Sequence, residues 1–294
     1  MSKGQSTERL ATILETLSDV TVTLVADFFV GDGGGVAVAT GLAKLGVTVL
    51  PVGVVGEDDN GQKVFQALHE HRVSTSGLSK LKKYATPLFS SGEELLHGEH
   101  PALLNLVEHA RKFASASEAM YVCDCGIGAA SPRVLNFIKS NRCMQEKMLA
   151  ARSRHRLADF EQLTTAVASE SEVAQAIGVE IGGDAKKLAV AGEGIVQEMK
   201  LESFLAVSGE KLLAFSGTHR SSLAAPAALS ASEIDVLGAI FAAALSAGAE
   251  PVDAAQVAAQ VTGFLKNRGA ARKKIHHDEL IALLAGPKAT GRVR

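Results

Sequence analysis

The sequence has no surplus of charge in either direction. Its 30 Lys and Arg stand against 32 Asp and Glu, for a formal net charge of −2 and a pI near 6.5. A chain without a basic excess has little to offer a phosphate backbone, so nucleic acid is excluded as an expected partner. Long apolar runs are also lacking. The longest, residues 234–249, is Ala-rich and interrupted by polar residues and glycine, short of the roughly 20 residues a membrane span requires. Residues 1–19 are polar and amphipathic, without the uninterrupted apolar stretch of a signal peptide. No membrane association is expected, and cytoplasmic residence is the default.

Cysteine is scarce. Cys123, Cys125 and Cys143 are too few, and odd in number, for a disulfide framework, so they read as reduced thiols. Cys123-Asp124-Cys125 has the residue types of a metal site. On a buried strand, with no second Cys or His pair nearby in sequence, it reads first as two structural thiols. His276-His277-Asp278 lies in a charged stretch and reads as surface. The glycine-rich run at residues 31–35 lacks the Gly-Lys-Ser/Thr ending of a phosphate loop and a clear Gly-x-Gly-x-x-Gly spacing.

What is present is the composition of a globular protein: 47% hydrophobic and 21% charged residues, with mean hydropathy +0.16. The 294 residues suffice for one large core or two small ones. Residues 21–29 are β-branched and apolar and predict a buried strand. After the glycines, residues 36–45 predict a buried helix closed by Gly46, residues 47–55 a strand and residues 61–71 a helix. Strand, glycine turn, helix and strand form the unit of a parallel sheet. The alternation continues with helices over 102–113, 132–140, 171–178, 235–247, 254–266 and 278–284. Strands fall at 119–123, 163–168, 204–208 and 211–215, and Ser169 is placed to cap the helix after it. No repeat or linker stands out, so the expected architecture is one doubly wound α/β domain over residues 1–294.

Three segments together resemble the ribokinase-like (PfkB) carbohydrate kinases, nearest their heptose-phosphate kinase branch. Gly33-Gly34 precedes a helix ending in Leu45-Gly46, and Val52-Gly53-Val54-Val55-Gly56-Glu57-Asp58 leads to Gly61. Asp124-Cys125-Gly126-Ile127-Gly128 is similar to the branch's Asp-Tyr-Gly-Lys-Gly turn. Asp235 opens an Ala-rich helix ending at Gly248, like the helix after the family's Gly-Ala-Gly-Asp motif. The resemblance implies a three-layer, mainly parallel sheet and transfer of the ATP γ-phosphoryl group to a sugar or sugar phosphate. That chemistry needs a base, donors for the phosphoryl charge and a magnesium ion. The resemblance makes Asp235 the base, and Asp27, Gly33 and Gly34 the sugar pocket. It puts the nucleotide at Ser208, Gly209, Ser232 and Glu233, and Mg2+ near Glu172. An alternative alignment puts Glu233 in the base's place. At the head of a helix, Asp235 also reads as an ordinary residue favoured by the dipole.

The departures are concentrated at that site. Ser232-Glu233-Ile234 replaces Gly-Ala-Gly, whose glycines let backbone amides approach phosphate. Ile234 crowds that approach, and Glu233 adds charge of the wrong sign. Two like charges about 4 Å apart repel by roughly 4 kcal/mol at an effective dielectric near 20. The family's sugar-contacting Asn is Ala37, its turn Lys is Ile127, and of its Asn-x-x-Glu only Glu172 remains. The second glycine of a nucleotide-side Gly-x-x-Gly is Leu212. Only residues 28–32 separate Asp27 from Gly33, too few for the family's β lid, so any homo-oligomer would form without one. The sequence thus supports a sugar kinase with a degraded phosphate loop, or a silent relative acting as scaffold, sensor or partner subunit. No new nucleophile–base pair supports a third chemistry.

Overall fold

The computed structural model describes residues 3–89, 95–96, 100–140, 147–225, 227–269 and 274–285. Cys143 lies outside them. Among the described residues, nine strands form one sheet in the order β3-β2-β1-β4-β5-β6-β7-β8-β9. The centre is β1 (Thr21–Ala26), whose Val22, Leu24 and Val25 are fully buried. It runs parallel to β2 (Thr48–Gly56) on one side and β4 (Ala119–Asp124) on the other. Outward from β2 lies the short β3 (Leu78–Leu81). Beyond β4 come β5 (Met148–Ser153), β6 (Thr165–Ser169) and β7 (Ser203–Ser208), all parallel. The antiparallel β8 (Lys211–Ser216) and β9 (His219–Ala224) complete that edge.

Because crossovers between parallel strands are right-handed, the direction of each step along the sheet chooses the face of its helix. Steps from β1 towards β3 carry α2 (Gly34–Lys44) and α3 (Asp59–Glu70) on one face. Steps from β3 back through β7 carry α4 (Pro101–Ala114), α5 (Pro132–Ser140), α6 (Glu170–Ile177) and α7 (Ala185–Glu198) on the other. Two further helices, α8 (Ala231–Ser246) and α9 (Pro251–Phe264), return to the α2 face. The N-terminal α1 (Lys3–Thr16) packs outside α9 with α10 (His277–Ala285). This is the expected three-layer, doubly wound, mainly parallel architecture.

Several elements differ from the sequence expectation. The expected helix at 235 begins at Ala231, because Ser230 caps it and a capping box closes its first turn. Asp235 therefore sits in the second turn and not at the helix head. β5 was not expected, because its Leu149-Ala150-Ala151 run is short and ends in Arg152-Ser153. α1, α7, β3 and β9 were also missed. α7 carries Gly192 and Gly194, which lower helix propensity. Gly192 has a packing reason, since a Cβ there would stand 2.3 Å from the Phe215 ring.

α8 is the central helix of its layer, and Leu237 through Ala244 are fully buried. It packs against α2, against α9 and beneath β4, β5 and β6. Small residues allow that crowding. A Cβ on Gly41 would stand 2.9 Å from Val236, and one on Gly238 would stand 2.3 Å from the Tyr121 hydroxyl. The Tyr121 hydroxyl instead donates to the Asp235 carbonyl at 3.1 Å, which fixes the height of α8 against β4.

Candidate functional site

In an open α/β sheet, ligands bind outside the carboxyl ends of the strands, where the strand order reverses. Here that point lies between β1 and β4. Asp27 follows β1 directly and is 2% exposed. Its Oδ2 accepts from the amides of Cys125 (2.8 Å) and Ile127 (3.0 Å), and its Oδ1 from that of Ala129 (2.8 Å). Asp27 thus holds the turn after β4 together. Burial, aided by the nearby Asp124 charge, raises its pKa to about 6 despite those three amides. Asp124 itself accepts from the Ser153 hydroxyl at 2.7 Å and from Arg156 Nε at 2.9 Å.

Gly33 adopts φ +108 as the residue before α2. A side chain there would be strained, and its Cβ would stand 2.7 Å from Arg154 Nη2, 2.9 Å from Ser232 Cβ and 3.1 Å from Asp235 Oδ2. Gly34 donates its amide to Asp235 Oδ2 at 2.9 Å. Gly33, Gly34, Ser232 and Asp235 therefore meet at one corner, although Gly34 and Asp235 are 201 residues apart in sequence.

Asp235 is completely buried. Arg152 Nε stands 2.8 Å from its Oδ1, close enough for an ion pair but off the hydrogen-bond axis. Arg154 Nη2 pairs with its Oδ2. Arg152, 1% exposed, also donates to Glu172 Oε1 at 2.8 Å. Glu172 Oε2 accepts the Ser169 amide at 2.7 Å and completes the capping box of α6. Both Glu172 oxygens are thus taken by the chain itself.

The head of α8 is closed in the same way. Glu233 Oε2 accepts the Ser230 amide at 2.7 Å, and Ser230 Oγ accepts the Glu233 amide at 3.3 Å. Lys266 Nζ lies 3.1 Å from Glu233 Oε2 and donates to the Ala228 carbonyl at 2.9 Å. Partial burial disfavours the Glu233 carboxylate, but the Ser230 amide and Lys266 outweigh it and hold its pKa below the usual range. A helix N-terminus attracts anions through its free amides, and here the chain's own carboxylate fills that role. Ser208, at the end of β7, donates its hydroxyl to Glu170. Gly209 makes the β7–β8 turn at φ +55 with open space around it. Through Glu170, Ser208 meets the head of α6.

Sequence reasoning missed Arg152, Arg154 and Arg156, which tie the carboxylates together. The signal available was the interval between the helix ending at Ser140 and the strand near 163, which is long enough for a strand. Two cavities flank the corner. One of ≈150 Å³ is lined by Arg154, Arg156, Glu172 and Gln175. The other, of ≈380 Å³, is lined by Gly33, Ala37, Thr40, Ser232, Glu233 and Lys266. A larger one of ≈490 Å³ lies at the opposite strand ends, around Gly46, Val47 and Arg72, far from every carboxylate discussed.

The chain has the ribokinase-like fold of the PfkB carbohydrate kinases. Among solved structures it resembles the tetrameric inhibited form of phosphofructokinase-2 from Escherichia coli, with TM-score 0.68 and 14% identity over 90% of this chain and 99% of that one. Arabidopsis thaliana ribokinase complexed with ribose and ATP superposes with TM-score 0.65 at 14% identity, over 90% and 98% of the two chains. No family model matches the sequence. The bifunctional protein HldE of Mesorhizobium japonicum is 25% identical over 258 residues, 82% of this chain and 52% of that protein. The HldE of Magnetococcus marinus is 44% identical over 54 residues, 18% of this chain and 11% of that protein. The chain thus spans about half the length, at most, of these relatives.

Proposed function

We propose that this chain is a sugar-kinase-like protein whose centre does not transfer phosphoryl groups, and that it acts as a sensor or partner subunit for a sugar or sugar phosphate. The observation that carries this reading is the double arginine clamp on Asp235. A general base must reach the acceptor hydroxyl. Asp235 is completely buried, ion-paired on one side with Arg152 and held on the other by Arg154 and the Gly34 amide. Breaking a buried ion pair costs about 3–5 kcal/mol. At about 1.4 kcal/mol per decade, that removes two to four decades of rate before any other loss is counted.

The nucleotide side supports the same reading. Glu233 closes the head of α8, and Glu172 is committed to Arg152 and Ser169. ATP and Mg2+ are therefore not the cofactors this centre is built to hold. The ≈380 Å³ cavity beside Gly33 and Ser232 is of a size suited to a small ligand, whereas ≈150 Å³ beside Arg154 is not.

The rival reading, an active kinase, draws on the meeting of Asp235 with Gly33 and Gly34. One assay separates the two. The protein is incubated with ATP, Mg2+ and a panel of sugars and sugar phosphates including heptose 7-phosphate, and ADP release is followed. We expect no turnover above background and no thermal shift with ATP and Mg2+. Turnover that vanishes in Asp235→Asn overturns the proposal in favour of the kinase.

A further inference from the structure

We propose that Cys123, Cys125 and Asp235 form a binding site for a divalent d10 cation, of which Zn2+ is the natural candidate. Strand geometry brings the ligands together. Cys123 lies in β4 and Cys125 follows two residues later, so both side chains leave the strand on one side. That side faces α8, where Asp235 enters from the second turn. The two sulfurs and a carboxylate oxygen all lie within 4.8 Å of one another. Tetrahedral zinc sets its ligand atoms roughly 3.5–3.8 Å apart, so the trio has only to draw inward by roughly 1 Å.

Unmet bonding supplies an independent observation. Asp235 Oδ1 is buried and, among the described residues, has no aligned hydrogen-bond donor, Arg152 Nε standing 2.8 Å away but off axis. A buried polar group left without a partner is costly and calls for an explanation. Charge is conserved on binding: Asp235 and Glu172 balance Arg152 and Arg154 in the metal-free protein, and two thiolates balance a divalent ion once it is held. Two sulfur ligands favour a soft or borderline ion over Mg2+ or Ca2+. Binding exchanges two thiol protons for one metal ion. Three protein ligands leave a fourth position for water or another donor.

The inference stands apart from the kinase reading, since it needs neither nucleotide nor sugar. The reduced, metal-free full chain is equilibrated with Cd2+, which reports thiolate binding by an ultraviolet charge-transfer band, in a weakly buffered solution containing a pH indicator. We expect the band to saturate at one ion per chain with release of about two protons, and Zn2+ to compete and to raise the melting temperature. Cys143→Ser should leave all of this intact. Cys123→Ser and Cys125→Ser should each weaken binding by about 100-fold or more, and Asp235→Asn by about tenfold. No saturable band in the unaltered chain overturns the proposal whatever the variants do. A band that persists without Cys123 and Cys125, or disappears with Cys143, also overturns it.

Discussion

Asp27 shows how much a single residue's surroundings can change its role. In sequence it was a ligand-facing carboxylate; in the fold it is the anchor of the turn after β4. Its ionisation is a liability, because burial and Asp124 raise its pKa from 3.8 to about 6. A raised folded-state value means that the native protein holds the proton more tightly than the unfolded chain. The associated stability is complete below about pH 4 and is lost as pH rises through about 6. A shift of about two units is worth up to about 3 kcal/mol. Urea unfolding from pH 4 to 7 should show that decline, and Asp27→Asn should lack it while being less stable throughout, because an amide nitrogen would face a backbone donor. An identical pH slope in the two proteins would refute this account.

Individual residues also mark where sequence reading stopped. Gly33, Gly34 and Asp235 are assigned to one site by the resemblance to sugar kinases, and in the fold they meet at one corner. Arg152 carried no signal of its own. Its burial depends on Asp235 and Glu172, and nothing local to Leu149-Ala150-Ala151 announces that the next side chain will be enclosed. Long-range charge pairing has no sequence period to betray it.

Among the elements, those with strong periodicity were legible. The buried strand at 21–26, the helix closed before Gly46 and the strand at 48–56 follow from β-branched runs and a glycine stop. The head of α8 lies four residues before the expected start, since the resemblance assigns Ser232 and Glu233 to the nucleotide, whereas Glu233 closes a capping box with Ser230. That box should behave as others do. Ser230→Ala should cost about 1 kcal/mol, read as a lowered denaturation midpoint with an unchanged slope. Glu233→Gln, which keeps an acceptor for the Ser230 amide but drops the charge facing Lys266, should cost less. Equal losses would show that the Lys266 pair, and not the cap, holds the turn.

For the whole molecule, the sheet's two edges differ from its centre. β1, β4 and β5 are covered on both faces and nearly solvent-free. β9 has one paired edge, and its residues from His219 to Ala224 are exposed or only partly buried. Local opening follows buried apolar contact, so native-state hydrogen exchange should free the β9 amides first and those of β1 and β4 last. Uniform protection across the sheet would contradict this order.

The arginine-bound carboxyl edge has one more consequence. Arg152, Arg154 and Arg156 each meet an acid of the same chain, so the crevice cancels its own field. Charged clefts draw ions from a distance and speed their arrival; this one is electrically quiet. A visiting molecule gains no long-range pull here and must be recognised on contact, by shape and short-range bonds alone.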